Sequence, residues 1–77
     1  MHYFSAAEIS LDDVLRFFDY DHLPRHLQAV SAPFSKIADV ILSTSMHCPE
    51  RSVALRKLLE SKDAAVRAAI SSPVAAT

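Results

Sequence analysis

The chain has 77 residues, a net charge of −1, 51% hydrophobic residues, one cysteine and no glycine. This length allows one domain, and the near-neutral charge excludes a global basic field for duplex DNA or an anionic membrane. A lone cysteine excludes an internal disulfide, and a chain without glycine has no glycine-rich phosphate loop, so a phosphate would have to be met by helix N-termini and side chains.

A domain this short buries only about 60% of the surface its unfolded chain exposes. The apolar content is high for so small a core, and the surplus points to a homo-oligomer. Charge is unevenly placed. Residues 1–21 hold Glu8, Asp12, Asp13, Asp19 and Asp21 against the single base Arg16. Arg51, Arg56, Lys57, Lys62 and Arg67 crowd the second half, so an anion site is expected there. No basic segment followed by an apolar run opens the chain, and no stretch reaches the roughly 18 apolar residues that cross a bilayer, so a cytosolic protein is expected.

In chain order, Ser5 and Glu8 have capping-box spacing, and Ser10 with Asp12 and Asp13 marks a second helix start. Leu11, Val14, Leu15 and Phe18 share a face, predicting a short helix over residues 10–18 with 1–9 as a frayed tail. Leu23, Leu27, Val30, Phe34, Ile37 and Ile41 then recur at spacings of 4, 3, 4, 3 and 4, widened by Ala38 and Leu42. They predict a helix over residues 24–43, begun by Pro24 and kinked at Pro33. Two helices meeting near Ser31 are the lesser option. "STSMHCPE" is a linker. Pro49 starts a third helix to residue 71, with Leu55, Leu58, Leu59, Val66, Ala69 and Ile70 as its apolar face. Arg56 with Glu60 and Asp63 with Arg67 are i,i+4 pairs on its polar face. Residues 72–77 read as a frayed tail. The expected fold is a single all-α domain over residues 1–77: a short N-terminal helix and a long antiparallel two-helix hairpin, completed by oligomerisation.

His22 and His26 have i,i+4 spacing, but Pro24 lies between them and no third ligand has telling spacing, so no metal is expected. His47 and Cys48 are neighbours in a linker, with nothing to supply an oxyanion hole. The chain reads as a non-enzyme without a cofactor. A helix-turn-helix DNA binder and a helical protein-interaction module are open readings on these grounds. The first lacks its usual turn glycine.

The order of residues is more specific than their types. The run "FFDYDHLPRHLQAVSAPFSKIAD" followed by "PERSVALRKLLESKDAAVRA" resembles the phage anti-CBASS protein 2 family of cyclic-oligonucleotide sponges. Two blocks carry the resemblance: an aromatic-rich "YxHLPxHLQxVSxPF" and a basic "ERxVALRKLLExKDAAVRA". The resemblance implies a small helical hexamer in the cytoplasm of the infected bacterium. It would hold cyclic dinucleotides such as 3',3'-cGAMP, and cyclic tri-AMP, in separate pockets between subunits, without cleaving them. Neither a membrane nor a polymeric nucleic acid would be a partner.

Bases need planes to stack on and phosphates need cations or helix N-terminal amides. On that footing Phe17, Tyr20, His22, Pro24, His26 and Lys36 are the candidate dinucleotide site. Arg67, then Lys62, with Arg51, are the candidate trinucleotide site, one base from each of three chains meeting three phosphates. Members of the family often carry a lysine where this chain has Ala32, so one phosphate contact would be lost here.

Overall fold

A computed structural model of the chain describes residues 4–71. The order of elements is α1 (Ala6–Leu11), a 3-10 helix (Asp13–Phe18), α2 (Arg25–Thr44) and α3 (Pro49–Ser71). Residues 1–3 and 72–77, part of the two predicted tails, lie outside the described residues. None of the described helices is long and apolar enough to cross a membrane.

The N-terminal region differs from its expectation in two ways. Residues 4–9 are no frayed tail. The Glu8 N–H donates to Ser5 Oγ at 3.1 Å and the Ser5 N–H to Glu8 Oε1 at 2.8 Å, which closes the capping box and starts α1. Phe4 meets Phe18 edge to face, with centroids 6.5 Å apart. The predicted helix over 10–18 is also split. Ser10 does not cap it, because its hydroxyl donates back to the Ala7 carbonyl inside α1. Asp12 leaves the helical region (φ −133°, ψ 89°), and its carboxylate turns into the interior. The chain resumes as the tighter 3-10 helix, which buries Leu15 and Phe18.

α2 runs unbroken through Pro33, with Pro24 as its N-cap residue, one position before the first helical turn. The Pro24 carbonyl accepts from the N–H groups of Leu27 and Gln28, both at 2.9 Å. Its C-terminus ends without a left-handed glycine. Hydroxyls do that work instead: Ser43 and Thr44 donate to the Val40 carbonyl at 3.1 and 2.7 Å, and Ser45 donates to Ile41. α3 begins at Pro49, as predicted. Residues 45–48 are too few to carry the chain back along α2, so α3 folds back on it as a hairpin.

The core-facing line of α2 is Leu27, Ser31, Ser35 and Ala38, all buried, with Phe34, Ile41 and Leu42 packed at its edges. The sequence placed Val30, Phe34 and Ile37 on that line. The observed line is turned by about one residue, and Ile37 stands 47% exposed. Small serines at its centre admit the 3-10 helix, and Ser35 Oγ donates to the Phe18 carbonyl at 2.7 Å. On α3 the apolar face around Leu55 is likewise interrupted by two buried cations, Arg51 and Lys62, and Ile70 is exposed. Leu15, Phe18, Ala38 and Leu55 form the fully buried cluster. Each large side chain there stabilises the fold by roughly 1.5–3 kcal/mol through apolar burial.

Candidate functional site

Where the 3-10 helix and the loop after it lie across α3, the surface opens into a cleft of about 360 Å³. Its walls are Arg16, Phe17, Asp19, His22 and Leu23 on one side and Lys62, Asp63, Val66 and Arg67 on the other. The volume is at the lower end for small-molecule sites, roughly 300–1,000 Å³, so it is sized for part of a large ligand.

The walls are held by backbone carbonyls that other elements grip. Lys62 Nζ donates to the Phe17 carbonyl at 2.7 Å, and Ser35 takes the next carbonyl, that of Phe18. The end of the 3-10 helix is thus tied to α3 and α2 at once. The loop over residues 19–24 is equally constrained. The Asp21 N–H donates to Asp19 Oδ1 at 3.2 Å, the Leu23 N–H to the Tyr20 carbonyl at 3.1 Å, and Gln28 Nε2 to the Leu23 carbonyl at 2.8 Å. No described residue has a positive φ, so the loop needs no glycine.

Inside this frame the Phe17 ring is half exposed, with the Arg16 guanidinium 5.1 Å from its centroid. Arg16 also donates to Asp13 at 3.0 Å, in an exposed ion pair. A flat cation thus lies over one face of a flat ring, and both side chains line the cleft. Arg67 and His22 add positive or proton-donating groups. Asp63 Oδ1 takes the Lys62 ammonium at 3.0 Å. On the polar face of α3, Asp63 pairs with Lys62 and Glu60 with Lys57 at 3.7 Å, rather than with the expected Arg67 and Arg56.

Of the residues singled out from sequence, the cleft brings together Phe17 and His22 of the candidate dinucleotide site and Lys62 and Arg67 of the candidate trinucleotide site. They were assigned to two different sites and here share one. Tyr20, Pro24, His26 and Lys36 are not among its lining residues. Arg51 is turned inward. Its Nε and Nη2 donate to Asp12 Oδ2 at 3.0 and 2.8 Å, and Nη1 donates to the Ser45 carbonyl at 3.2 Å. Ser52 Oγ donates to the other Asp12 oxygen at 2.8 Å. His47 Nε2 lies 3.0 Å from the Leu11 carbonyl, which can only accept, so that nitrogen carries the proton. Asp12 is the hub that joins α1, the 45–48 connection and α3. Arg16, Asp19, Leu23, Asp63 and Val66 were missed as lining residues. In the sequence Asp19 stands out only in the acidic balance of residues 1–21, and Asp63 only as the i,i+4 partner of Arg67.

Among the described residues no group of three His, Cys, Asp or Glu side chains is placed to hold a metal ion. Compared with protein-family models, curated proteins and solved structures, the chain matches none.

Proposed function

We propose that this protein is a phage anti-defence sponge. It captures the cyclic dinucleotide and cyclic trinucleotide messengers of bacterial CBASS immunity in the cytoplasm of the infected host and holds them without cleaving them. The observation that carries this reading is the cleft itself. It joins Phe17 and His22 of the first resembling run to the cations of the second, Lys62 and Arg67. A base on Phe17 gains roughly 1–3 kcal/mol by stacking. A phosphate beside it meets Arg67, whose planar fork suits two phosphate oxygens.

The small cleft accommodates one nucleotide unit, so the rest of a cyclic ligand projects beyond the chain. A second copy of the chain is the natural receiver for it, and the proposed assembly is a homo-oligomer, a hexamer by the resemblance. Exposed Leu11, Ile37, Val40 and Met46 supply apolar surface for such contacts. Binding without turnover needs no cofactor or catalytic group.

Calorimetric titration with 3',3'-cGAMP and, separately, cyclic tri-AMP tests the proposal, followed by chromatography of the ligand released on heating. Saturable binding with ligand recovered intact is expected. No heat with either ligand at micromolar concentration rejects it, and recovery of linear products would make the protein a nuclease instead.

A further inference from the structure

We infer that Arg16 is a second phosphate ligand of the cleft, opposed to Arg67, so that the ligand is gripped by a phosphodiester and not by its bases; this rests on the nucleotide-binding reading above. Arg16 is the only arginine or lysine among residues 1–21, in a segment with five acids. The 3-10 helix nevertheless places it in one wall of the cleft, and the other wall carries Lys62 and Arg67. Like charges gathered around one cleft repel each other, and a ligand of opposite charge relieves that repulsion.

The three cations are not equivalent. The Lys62 side chain is 10% exposed, and its ammonium donates to the Phe17 carbonyl at 2.7 Å and to Asp63 Oδ1 at 3.0 Å. Its charge is already met, so it is a positioning residue that ties the 3-10 helix to α3. Arg67 is exposed and makes no hydrogen bond or ion pair among the described residues. Arg16 is engaged only through Nη2, by Asp13, which is not a lining residue, and its side chain is 58% exposed. An ion pair so open to water is worth little and does not hold the guanidinium back from a phosphate. Nε and Nη1 are left to donate to it, and the Phe17 ring beneath, 5.1 Å away at its centroid, favours a guanidinium kept at the cleft. With Lys62 and Asp63 neutralising each other, two guanidinium groups face one remaining acid, Asp19. The balance is one positive charge, the complement of a single phosphodiester. That group is common to cyclic di- and trinucleotides whatever their bases, so one clamp suits either class.

The test titrates 3',3'-cGAMP and, in parallel, cyclic di-AMP into the intact protein and into Arg16→Gln, at low and at high salt. The substitution removes a charge from an exposed position, so the fold is retained, which circular dichroism checks. R16Q is expected to bind both ligands about tenfold or more weakly at low salt. The deficit should shrink toward about 1 M salt, where screening acts within about 3 Å. Unchanged affinity in R16Q overturns the inference and leaves the sponge standing. A deficit of equal size at both salt concentrations also overturns it, because Arg16 would then act through stacking or structure. So does a deficit confined to one of the two ligands, which would mean that Arg16 reads a base. Absence of binding of either ligand to the intact protein overturns the inference together with dinucleotide capture.

Discussion

Arg51 was among the cations expected to meet a phosphate, and the fold sends it inward instead. The reason lies 39 positions earlier, where Asp12 leaves the helical region and its carboxylate accepts Arg51 Nε and Nη2 and the Ser52 hydroxyl. Both charged groups are nearly excluded from water, so neither can be removed alone without stranding the other. Arg51→Met is expected to destabilise the protein by about 3–5 kcal/mol, a large share of what a domain of this size has in total. Urea unfolding followed by circular dichroism reads it directly. A loss below about 1 kcal/mol would show a solvated pair with little coupling. A binding defect in the same variant would reflect lost structure, because Arg51 is not among the residues that line the cleft. No signal in the local sequence distinguishes Arg51 from Arg67. Both are cations on α3, and only the partner supplied by α1's exit separates them.

At the scale of elements, α2 shows what periodicity can and cannot convey. The spacing of Leu27, Phe34 and Ile41 is that of a single helix, and α2 is one helix from Arg25 to Thr44 despite Pro33. Pro33 is exposed and lacks the N–H that would reach the carbonyl four residues back. Pro33→Ala restores that hydrogen bond, offset partly by the greater freedom of alanine in the unfolded chain. We expect a gain of about 1–3 kcal/mol, seen as a higher urea midpoint in dilute solution at unchanged slope. An unchanged or lower midpoint would mean that the proline ring packs on something in solution. What periodicity could not convey was the rotation of the stripe. The core line runs through Ser31 and Ser35 because the 3-10 helix needs close approach and a donor for the Phe18 carbonyl, both tertiary demands. The break at Asp12 was hidden for the same reason. The cleft was legible in part. Its Phe17 ring and two of its cations stand in the resembling runs, while Asp63 looked like one member of a solvated i,i+4 pair.

At the scale of the whole molecule, the chain spans about 40 × 21 × 17 Å around a small fully buried cluster. Part of its exposed apolar surface is gathered on α2. On α2, Pro33, Ile37 and Val40 fall on adjacent positions of one helical face, beside the core line and turned outward, with Ile37 47% and Val40 56% exposed. Such a strip on so small a domain is the kind that a second copy covers, and the cleft's limited volume asks for a neighbour as well. If α2 supplies the contact, a charge on this strip must break the assembly and leave the monomer intact, because neither side chain belongs to the buried cluster. Sedimentation equilibrium of the double variant Ile37→Glu, Val40→Glu should give the mass of one chain, where the unaltered protein gives a multiple. Its far-ultraviolet spectrum should be unchanged. Ligand affinity should fall with the loss of assembly, since a nucleotide unit outside the single-chain cleft would then face water. An unaltered protein that sediments as one chain would remove the need for a neighbour and confine the ligand to a single nucleotide. A double variant that keeps its assembled mass would move the contact away from α2, toward Leu11, Met46 or Ile70, which are also exposed.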